Sequence, residues 1–372
     1  MTQDRQEFRI KALNKKKIYS FIYSSGETSK QEIADSLDLS LPTVTNNLNE
    51  LIKEGLVEKC GQYESTGGRK AQIITLVKTA RFAVGVSVFM SSMKLCAVDL
   101  YGNLIAETTH TIKYSHNEGF YRDACSLIKS FVSNLPCPEE NCIGIGIATQ
   151  GLVSQDGTGV VYGSIMGNAD MKSEDFEKHL QWPCILLHDT KASASAEIWR
   201  NNTGDAIYLL LNNNFGGVLV SRGKVHSGGS GVIEHMIIHP DGEKCYCGKK
   251  GCVEAYCSAD ALRKNVDMSL DLFFKKLRSG DIECKYKWNA YLSELALTID
   301  NLRMIINYKV IIGGLLRQYM TQEDIVDLKK IILEKTAFRS IGISIELSRY
   351  GQNAAAIGAA LYYIEAFLST VI

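Results

Sequence analysis

The stretch from His235 to Glu254 constrains the fold of this chain more than any other. It places three cysteines and a histidine close together in sequence, around Gly248 and Gly251. Thiolate and imidazole groups are the ligands that a tetrahedral structural zinc ion prefers, and glycines allow a short loop to turn tightly around it. We therefore predict a structural Zn²⁺ held by His235, Cys245, Cys247 and Cys252. The alternative is three unpaired cysteines in an irregular loop, and His239 is a further imidazole within reach in sequence.

The composition is that of an ordinary globular protein. Of 372 residues, 22% are charged and 45% are hydrophobic, and the formal net charge is zero. No overall field therefore attracts nucleic acid or a membrane, and any such affinity must be local. The length suits two or three domains of roughly 150 residues each. Because no apolar run approaches the roughly 18 residues that span a bilayer and the N-terminus lacks a signal peptide's apolar stretch, we expect a cytoplasmic protein without membrane contacts. In that reducing compartment, clustered cysteines indicate metal binding.

The first eighty residues predict a DNA-binding head. Apolar spacing predicts a first helix over 14–23, and Ser29 with Glu32 forms a capping box that opens a second. Ser40 caps a third helix, with Pro42 in its first turn. Helix, short turn and polar-faced helix form the helix-turn-helix pattern. The predicted DNA contacts at the start and on the outward face of the third helix are Ser40, Thr43, Thr45, Asn46 and Asn47.

Two strands predicted over 57–63 and 71–77 make a hairpin that is typical of a wing. Its tip carries Arg69 and Lys70, which we expect to lie along or in the minor groove of DNA. Residues 1–80 have 12 Lys and Arg against 10 Asp and Glu, so this prediction depends on the pattern more than on charge. We assign 1–78 to a winged helix-turn-helix domain. The alternative is a three-helix packing module with a solvated hairpin.

The rest of the chain predicts an α/β domain with a mixed sheet. Periodicity places strands over 83–88, 94–100 and 104–111, then a helix over 119–135 and a buried strand over 142–148.

Four motifs carry a resemblance to a known family. They are Gly144-Ile-Gly-Ile-Ala-Thr-Gln-Gly151, His188-Asp189, Cys245-Tyr-Cys-Gly-Lys-Lys-Gly-Cys-Val-Glu254 and Ile357-Gly-Ala-Ala360. In this order they are similar to the ROK family of bacterial repressors and sugar kinases. With the head in front, the chain most resembles the repressor branch, whose members respond to xylose, N-acetylglucosamine or glucose. The resemblance implies a two-lobed, actin-like ATPase or sugar-kinase-like (ribonuclease H-like) fold, with lobe 1 over 79–186, lobe 2 over 187–372 and the C-terminal helix packed back on lobe 1.

Kinases of this family hold the ATP phosphates with two glycine-rich turns, and both turns differ here. Phe89 and Met90 stand where the first turn has glycines, and asparagines begin the second turn over 212–217. Side chains in such turns block the approach of phosphates to the backbone N–H groups. The resemblance therefore implies little or no phosphoryl transfer, and Gly313 and Gly314 are expected to form only a turn.

The family's sugar-binding positions are better preserved. By resemblance, Asp189 corresponds to the base that takes the proton of the sugar hydroxyl, and here it is expected only to bind ligand. The other ligand contacts that the resemblance implies are Asn168, His235 and Glu254. Asn168, Asp189 and Glu254 also have plainer interpretations, as a turn residue, a helix cap and a first-turn carboxylate. Val232 and Glu234 depart from the family's Gly-Glu-x-Gly-His, which removes one hydroxyl acceptor and leaves an unusual sugar, a sugar derivative or no ligand open.

The C-terminal region predicts a small-residue, apolar helix over 353–368, of a kind that commonly forms self-interfaces. The resemblance implies a homodimer or homotetramer, which would space two heads to bind a two-fold operator. We predict a sugar-responsive, DNA-binding transcriptional regulator, a repressor, without enzymatic activity. Two alternatives stay open: an active sugar kinase with a DNA-binding head, and a ligand-independent regulator with a decayed sugar site.

Overall fold

The computed structural model describes residues 2–63, 71–201, 203–226, 232–337 and 339–372. The predicted wing-tip residues Arg69 and Lys70 lie outside the described residues, as does Gly231 at the start of the departing motif.

Three helices and a three-stranded sheet form the head. Its elements are α1 (Thr2–Ser25), β1 (Glu27–Thr28), α2 (Lys30–Leu37), α3 (Leu41–Lys53), β2 (Val57–Gln62) and β3 (Gln72–Leu76). Ser29 accepts a hydrogen bond from the backbone N–H of Glu32, and Ser40 accepts one from that of Thr43, so both predicted N-caps form. The Glu32 carboxylate accepts from the Thr28 hydroxyl. Since β3 pairs antiparallel with β1 and β2, the predicted winged helix-turn-helix is confirmed.

Lobe 1 is built on a mixed five-stranded sheet. Its elements are β4 (Phe82–Val88), β5 (Ser92–Asp99), β6 (Leu104–Thr111), α4 (Glu118–Ser133), β7 (Cys142–Thr149), β8 (Leu152–Val153), β9 (Val160–Tyr162), α5 (Ser173–Glu177) and β10 (Cys184–His188). The strand order is β10-β7-β4-β5-β6, with β4, β7 and β10 parallel. Thr149 and His188 lie opposite each other at the carboxyl ends of β7 and β10. This edge is where parallel sheets commonly bind ligands.

Lobe 2 repeats the arrangement with a second five-stranded sheet. Its elements are α6 (Asp189–Asn201), β11 (Ala206–Leu211), β12 (Phe215–Ser221), β13 (Lys224–Val225), α7 (Glu254–Cys257), α8 (Ala259–Val266), α9 (Leu270–Arg278), α10 (Ile282–Ile305), β14 (Lys309–Gly313), α11 (Gln322–Lys335), β15 (Ile345–Leu347) and α12 (Ala354–Val371). The strand order is β13-β12-β11-β14-β15, with β11, β14 and β15 parallel. Two such sheets with helices on them confirm the two-lobed α/β fold.

The C-terminal helix α12 packs on the lobe 1 sheet and on α6. A Cβ atom on Gly358 would lie 1.6 Å from the carbonyl oxygen of Ala192 in α6, so the two helix backbones touch only because a glycine stands there. The small-residue face is packed within the chain, against α6 and the lobe 1 sheet. That this helix also takes part in a contact between subunits stays a prediction. Among the described helices α12 alone is long and apolar enough to cross a membrane, but 56% of it is buried inside the fold, as is common for core helices.

The head and the body share one hydrophobic core. A single cluster joins buried residues of α1 and α3 to residues of β5, α6 and α12. At this junction the rings of Tyr23 and Tyr101 stack with centroids 4.7 Å apart, and the Tyr23 hydroxyl donates to the Leu100 carbonyl at 3.2 Å. Trp199, near the end of α6, donates its indole N–H to the Tyr101 carbonyl at 2.9 Å. The head is therefore packed against the body through α6 and α12.

Candidate ligand cavity and metal centre

The four predicted zinc ligands come together at one point. The Sγ atoms of Cys247 and Cys252 are 3.7 Å apart, and Nδ1 of His235 lies 3.6 Å from Sγ of Cys245. All four ligand atoms lie within 4.8 Å of one another. A tetrahedral ion with Zn–S bonds of about 2.3 Å needs sulfur atoms roughly 3.8 Å apart. The donor set and its spacing therefore fit Zn²⁺, which would cross-link the loop to the segment that carries His235.

The loop around this cluster turns where the sequence predicts it. Gly251 has φ +76°, and a Cβ atom there would lie 1.7 Å from the carbonyl oxygen of His239, so this position requires glycine. The N–H of Cys245 donates to the carbonyl of Lys249 at 2.8 Å and closes the turn. His239 itself is outside the cluster, because its Nε2 lies 2.6 Å from a carboxylate oxygen of Glu294. It does not compete for the metal position.

A cavity of about 280 Å³ lies between the lobes, beside the cysteine loop. This volume is at the lower end of the range for small-molecule sites. Its polar lining includes Gln150, Ser164, Asp189, Asn214, Glu234 and His235, and its apolar lining includes Leu152, Ile165, Leu210, Phe215 and Val232. Gln150 of lobe 1 donates to the Asn214 side-chain carbonyl of lobe 2 at 3.3 Å, so the two lobes meet across the cavity. An enclosed space with a few polar groups can bind one small polar molecule.

Asp189 reaches this cavity from the first position of α6. Its Oδ1 accepts from the backbone N–H of Thr190 at 2.7 Å, which is the helix-start role that the sequence left open. The neighbouring His188 is mostly buried, with 16% of its side chain exposed, and burial lowers the pKa of its imidazole. Both residues line the cavity. Asp189 therefore presents a carboxylate to the cavity and also begins α6.

Two predicted ligand contacts lie behind the cavity wall and do not line it. Asn168 is completely buried and donates to the Thr149 hydroxyl and the Gln150 carbonyl at 3.0 and 2.8 Å. Glu254 starts α7 and accepts from the Asn214 side chain at 2.9 Å and from a backbone N–H at 2.6 Å. Burial raises the pKa of Glu254 to about 7. In this structure the two side chains bond to residues that do line the cavity, Gln150 and Asn214. Their direct contact with a ligand stays a prediction.

Glu234 lines the cavity although sequence reasoning did not select it as a ligand contact. Its side chain is buried, and its Oε2 atom has no hydrogen-bond partner among the described residues. Burial raises the pKa of this carboxyl group to about 8, and the nearby Asp189 carboxylate adds to the shift. In the sequence, residues 232–234 differ from the family's motif. This difference shows that Val232 removes a hydroxyl acceptor, but it does not show that the side chain of Glu234 faces the same cavity.

Two turns stand where the family resemblance places the phosphate turns of the kinases, and both make hydrogen bonds within the chain. In the first, the Phe89 N–H donates to the Ser92 carbonyl at 2.9 Å, so the strands connect by a tight hairpin. In the second, the side-chain oxygen of Asn212 accepts from the backbone N–H of Leu315 at 2.7 Å. The backbone N–H of Leu315 is therefore already occupied. Gly314, with φ +88°, packs against Asn212 as part of this turn.

The candidate DNA face consists of the start of α3. Ser40 and Asn46 are exposed, and Thr43 and Thr45 are half-buried. The prediction that Asn47 belongs to the outward face is wrong, because only 2% of it is exposed and its Nδ2 donates to the Thr43 carbonyl within α3. Asn47 lies in a groove between α3 and α1, which Lys11 and Asn14 also line.

Comparison with known proteins agrees with these features. The ROK family profile matches residues 84–366, most of the chain. The chain belongs to the ROK family. A winged helix-turn-helix DNA-binding profile matches residues 12–58 in front of the ROK region.

Curated relatives of this ROK protein include sugar repressors. The xylose repressor of Bacillus spizizenii is 28% identical over 379 aligned positions, covering 97% of both chains. The transcriptional dual regulator NagC of Escherichia coli K12 is 26% identical over 268 positions, covering 69% of this chain and 65% of NagC. The first relative is therefore similar over the head as well as the body.

Solved structures share the fold. A ROK family transcriptional regulator, a homologue of the Escherichia coli MLC protein, matches 97% of this chain and 98% of its own with a TM-score of 0.77 and 21% identity. A ROK glucokinase from Streptomyces griseus, solved with glucose and AMPPNP, matches 76% of this chain and 98% of its own with a TM-score of 0.66 and 18% identity. The kinase match thus covers less of this chain than the regulator match.

Proposed function

We propose that this ROK protein is a cytoplasmic, homo-oligomeric repressor that binds operator DNA with its winged helix-turn-helix and responds to a sugar in the cavity between its lobes. A structural Zn²⁺ on His235, Cys245, Cys247 and Cys252 would hold the loop that forms one cavity wall. The protein would not phosphorylate the sugar. The similarity to the xylose repressor and NagC supports this proposal, because both relatives are transcription regulators.

One helix carries the proposal, because it connects the cavity to the head. Helix α6 begins with Asp189 in the cavity and, near its other end, places Trp199 against the Tyr101 carbonyl. Tyr101 in turn stacks on Tyr23 of the head. A helix of this length spans roughly 20 Å as a rigid rod. A sugar that closes the lobes and shifts Asp189 would therefore also move the head. If the sugar binds the closed state more tightly than the open state, it changes the affinity of the head for the operator.

The two turns that differ from the kinases' phosphate-binding turns support a regulator over a kinase. Phosphoryl transfer depends on backbone N–H groups and metal ions that position the phosphates. Here Phe89 and Met90 stand at the first turn in place of glycines. At the second turn an asparagine, Asn212, stands at the start, and its side chain bonds to the backbone N–H of Leu315 in the neighbouring turn. Without contacts that position the ATP phosphates, Asp189 would serve only as a hydrogen-bond acceptor for a sugar hydroxyl.

One observation favours a second candidate, a ligand-independent regulator. Asn168 and Glu254, which the family resemblance implies as ligand contacts, are bonded within the protein. The two candidates differ in a single measurable property, sugar binding.

Asp189→Asn tests the proposal. The amide keeps an oxygen that can accept from Thr190, so α6 can still begin there, but the negative charge on the acceptor is lost. Hydrogen bonds to a charged acceptor contribute about 1.5–3 kcal/mol, so sugar affinity should fall roughly 10- to 100-fold, measured by calorimetry. The matched control is Asp123→Asn, an exposed position on α4. Unchanged sugar affinity in Asp189→Asn would contradict the proposed site, and absence of sugar binding by the unmodified protein would select the ligand-independent regulator.

A further inference from the structure

In the described part of the chain, two connections join lobe 1 to lobe 2. The first is α6, which follows β10 of lobe 1 and precedes β11 of lobe 2. The second is the return segment (residues 348–353), which joins β15 of lobe 2 to α12 on lobe 1. Its Ser348 N–H donates to the Ile312 carbonyl of lobe 2 at 2.8 Å, and its Asn353 side chain accepts from the Lys94 ammonium group of lobe 1 at 2.6 Å. The return segment is therefore bonded to a different lobe at each end.

A buried carboxylate bonds these two connections to each other. Glu197 of α6 is 4% exposed, and its Oε2 atom accepts from the Ser348 hydroxyl at 2.7 Å and from the backbone N–H of Arg349 at 3.3 Å. Ser348 is completely buried, and its carbonyl accepts from Nε of Arg317 at 2.6 Å. Burying a carboxylate is unfavourable unless donors bond to it, and hydrogen bonds to a charged acceptor are stronger than those between neutral groups. Glu197 therefore ties α6 to the return segment.

The place of this bond along α6 separates it from an ordinary packing contact. It lies between Asp189, at the cavity end of the helix, and Trp199, which bonds to the Tyr101 carbonyl beside the head. Domains that close around a ligand turn about the few residues at which their connections cross. With the bond in place, a shift of the cavity end turns α6 about Glu197 and moves Trp199. Without it, α6 can slide along the return segment, and part of the movement is lost before it reaches the head.

We propose that Glu197 is a positioning residue: by bonding α6 to the return segment, it fixes the axis about which the lobes close, so that closure at the cavity moves the head. This inference depends on the proposed function, since it concerns how the sugar response of the same cavity reaches the operator. The bond acts on transmission and not on the cavity itself. Its loss should therefore leave sugar binding in place and weaken the effect of the sugar on operator affinity.

Three variants of the full-length, zinc-loaded protein test the inference. Glu197→Ala removes the acceptor, and Ser348→Ala removes only one donor hydroxyl. Glu197→Gln keeps a side-chain oxygen that can accept from Ser348 and Arg349. The probes are xylose, glucose and N-acetylglucosamine. Calorimetry measures sugar affinity, and fluorescence anisotropy measures operator affinity with and without the sugar that binds most tightly.

Thr321→Ala is the matched control for Ser348→Ala. The Thr321 hydroxyl donates to another buried carboxylate of lobe 2, Asp324, at 3.0 Å, and both residues lie outside the two connections. The two variants each lose one hydroxyl bond to a buried carboxylate, so their melting temperatures should fall by similar amounts. A role in stability alone would then affect both variants alike.

We expect Glu197→Ala to shrink the sugar-dependent change in operator affinity about 3- to 10-fold, in the range by which substitutions along a coupled network alter allostery. Sugar affinity should stay within about 3-fold of the unmodified protein's, because Glu197 is outside the cavity lining. Glu197→Gln should restore most of the response. Ser348→Ala should reduce the response by itself and add little to Glu197→Ala, as residues that act through one bond do in a double-mutant cycle. Thr321→Ala should keep the full response.

The inference is overturned if Glu197→Ala keeps the full sugar-dependent change, if Glu197→Gln restores none of it, or if Thr321→Ala reduces it as much as Ser348→Ala. If Glu197→Ala does not fold, Ser348→Ala against Thr321→Ala decides in its place. In all these cases the unmodified protein still responds to a sugar, so the proposed function stands. If operator affinity of the unmodified protein ignores every sugar, the proposed function fails and the inference fails with it.

Discussion

At the scale of single residues, the cysteine–histidine cluster joins two segments that are ten positions apart in sequence. His235 is the last residue of a 3-10 turn at the cavity, and the cysteines belong to the loop beyond it. Because the next residue before His235 is the cavity acid Glu234, an ion held by His235 would also limit where that acid can point. The candidate metal cluster and the cavity are therefore connected through one short segment, residues 234–235.

Cys247→Ser tests this link. A hydroxyl is a poor zinc ligand, so the variant should lose its zinc to a chelator, and its melting temperature should fall by roughly 5 °C, given about 2–4 °C per kcal/mol for a domain of this size. Sugar response should weaken although operator binding by the head persists. Zinc content, thermal unfolding and operator titration measure the three effects.

The matched control is Cys60→Ser, a half-buried cysteine of β2 outside the cluster. Full stability and full sugar response in a metal-free Cys247→Ser protein would show that the cluster is not a structural zinc site.

Residue types were easier to predict from the sequence than side-chain directions. The four metal-ligand candidates could be predicted because their spacing and their chemistry point to the same structure. Asn47 was wrongly predicted to face outward. Its side chain instead donates a hydrogen bond to the Thr43 carbonyl within α3, which the sequence pattern does not reveal. The partners of Glu254, Asn214 and Phe215, could not be predicted, because they come from a segment 39–40 positions away. Long-range contacts of this kind leave no periodic signal.

At the scale of elements, α6 connects the cavity to the head and α12 supports it along its length. At Gly358 the backbones of α6 and α12 are in direct contact. A displacement of α6 relative to α12 would break this contact. Motion of α6 should therefore be shared with α12, which also contacts α1 of the head. Together, α6 and α12 form a packed pair that connects the ligand end of the molecule to its DNA end.

Trp199→Phe tests the role of α6. The change keeps an aromatic ring and removes the indole N–H bond to the Tyr101 carbonyl, an interaction that contributes about 0.5–1.5 kcal/mol. Allosteric coupling is typically 1–3 kcal/mol in total, so the sugar-dependent change in operator affinity should shrink about 3- to 10-fold. Operator titration by fluorescence anisotropy, with and without sugar, measures the change.

Trp288→Phe is the matched control. It removes an equivalent indole bond, to Asp324 at 2.8 Å within lobe 2, far along the chain from the head. If both variants reduce the sugar effect equally, loss of stability and not the α6 connection is responsible.

Elements were predicted well where one periodicity dominates. The head helices α2 and α3 and the strands β4 to β7 were expected, because caps and alternation mark their ends. α1 begins at Thr2, well before the predicted start. The family resemblance implied that α12 packs back on lobe 1, and it lies there. Periodicity alone could not give this, because a small-residue helix looks the same in sequence whether its neighbour belongs to the same chain or to another.

At the scale of the whole molecule, head and body form one continuous structure. The shared hydrophobic core includes residues of α1, α3, β5, α6 and α12, so the head cannot turn freely on a flexible linker. In a homo-oligomer, the spacing between two such heads would then depend on how each body is closed around its ligand. DNA half-sites lie about 34–36 Å apart, or at multiples of this distance. A change in body closure thus alters the fit of both heads at once.

The central claim is that a sugar, without ATP, changes how tightly this protein holds its operator. The most direct measurement is fluorescence-anisotropy titration of a DNA fragment selected from a random pool, with and without a saturating uncharged sugar, in the absence of nucleotide. We predict that the sugar lowers operator affinity at least 10-fold, equivalent to about 1.4 kcal/mol, and is recovered chemically unchanged when ATP and Mg²⁺ are then added. Operator affinity that ignores the sugar, or sugar that is recovered phosphorylated, would contradict the account.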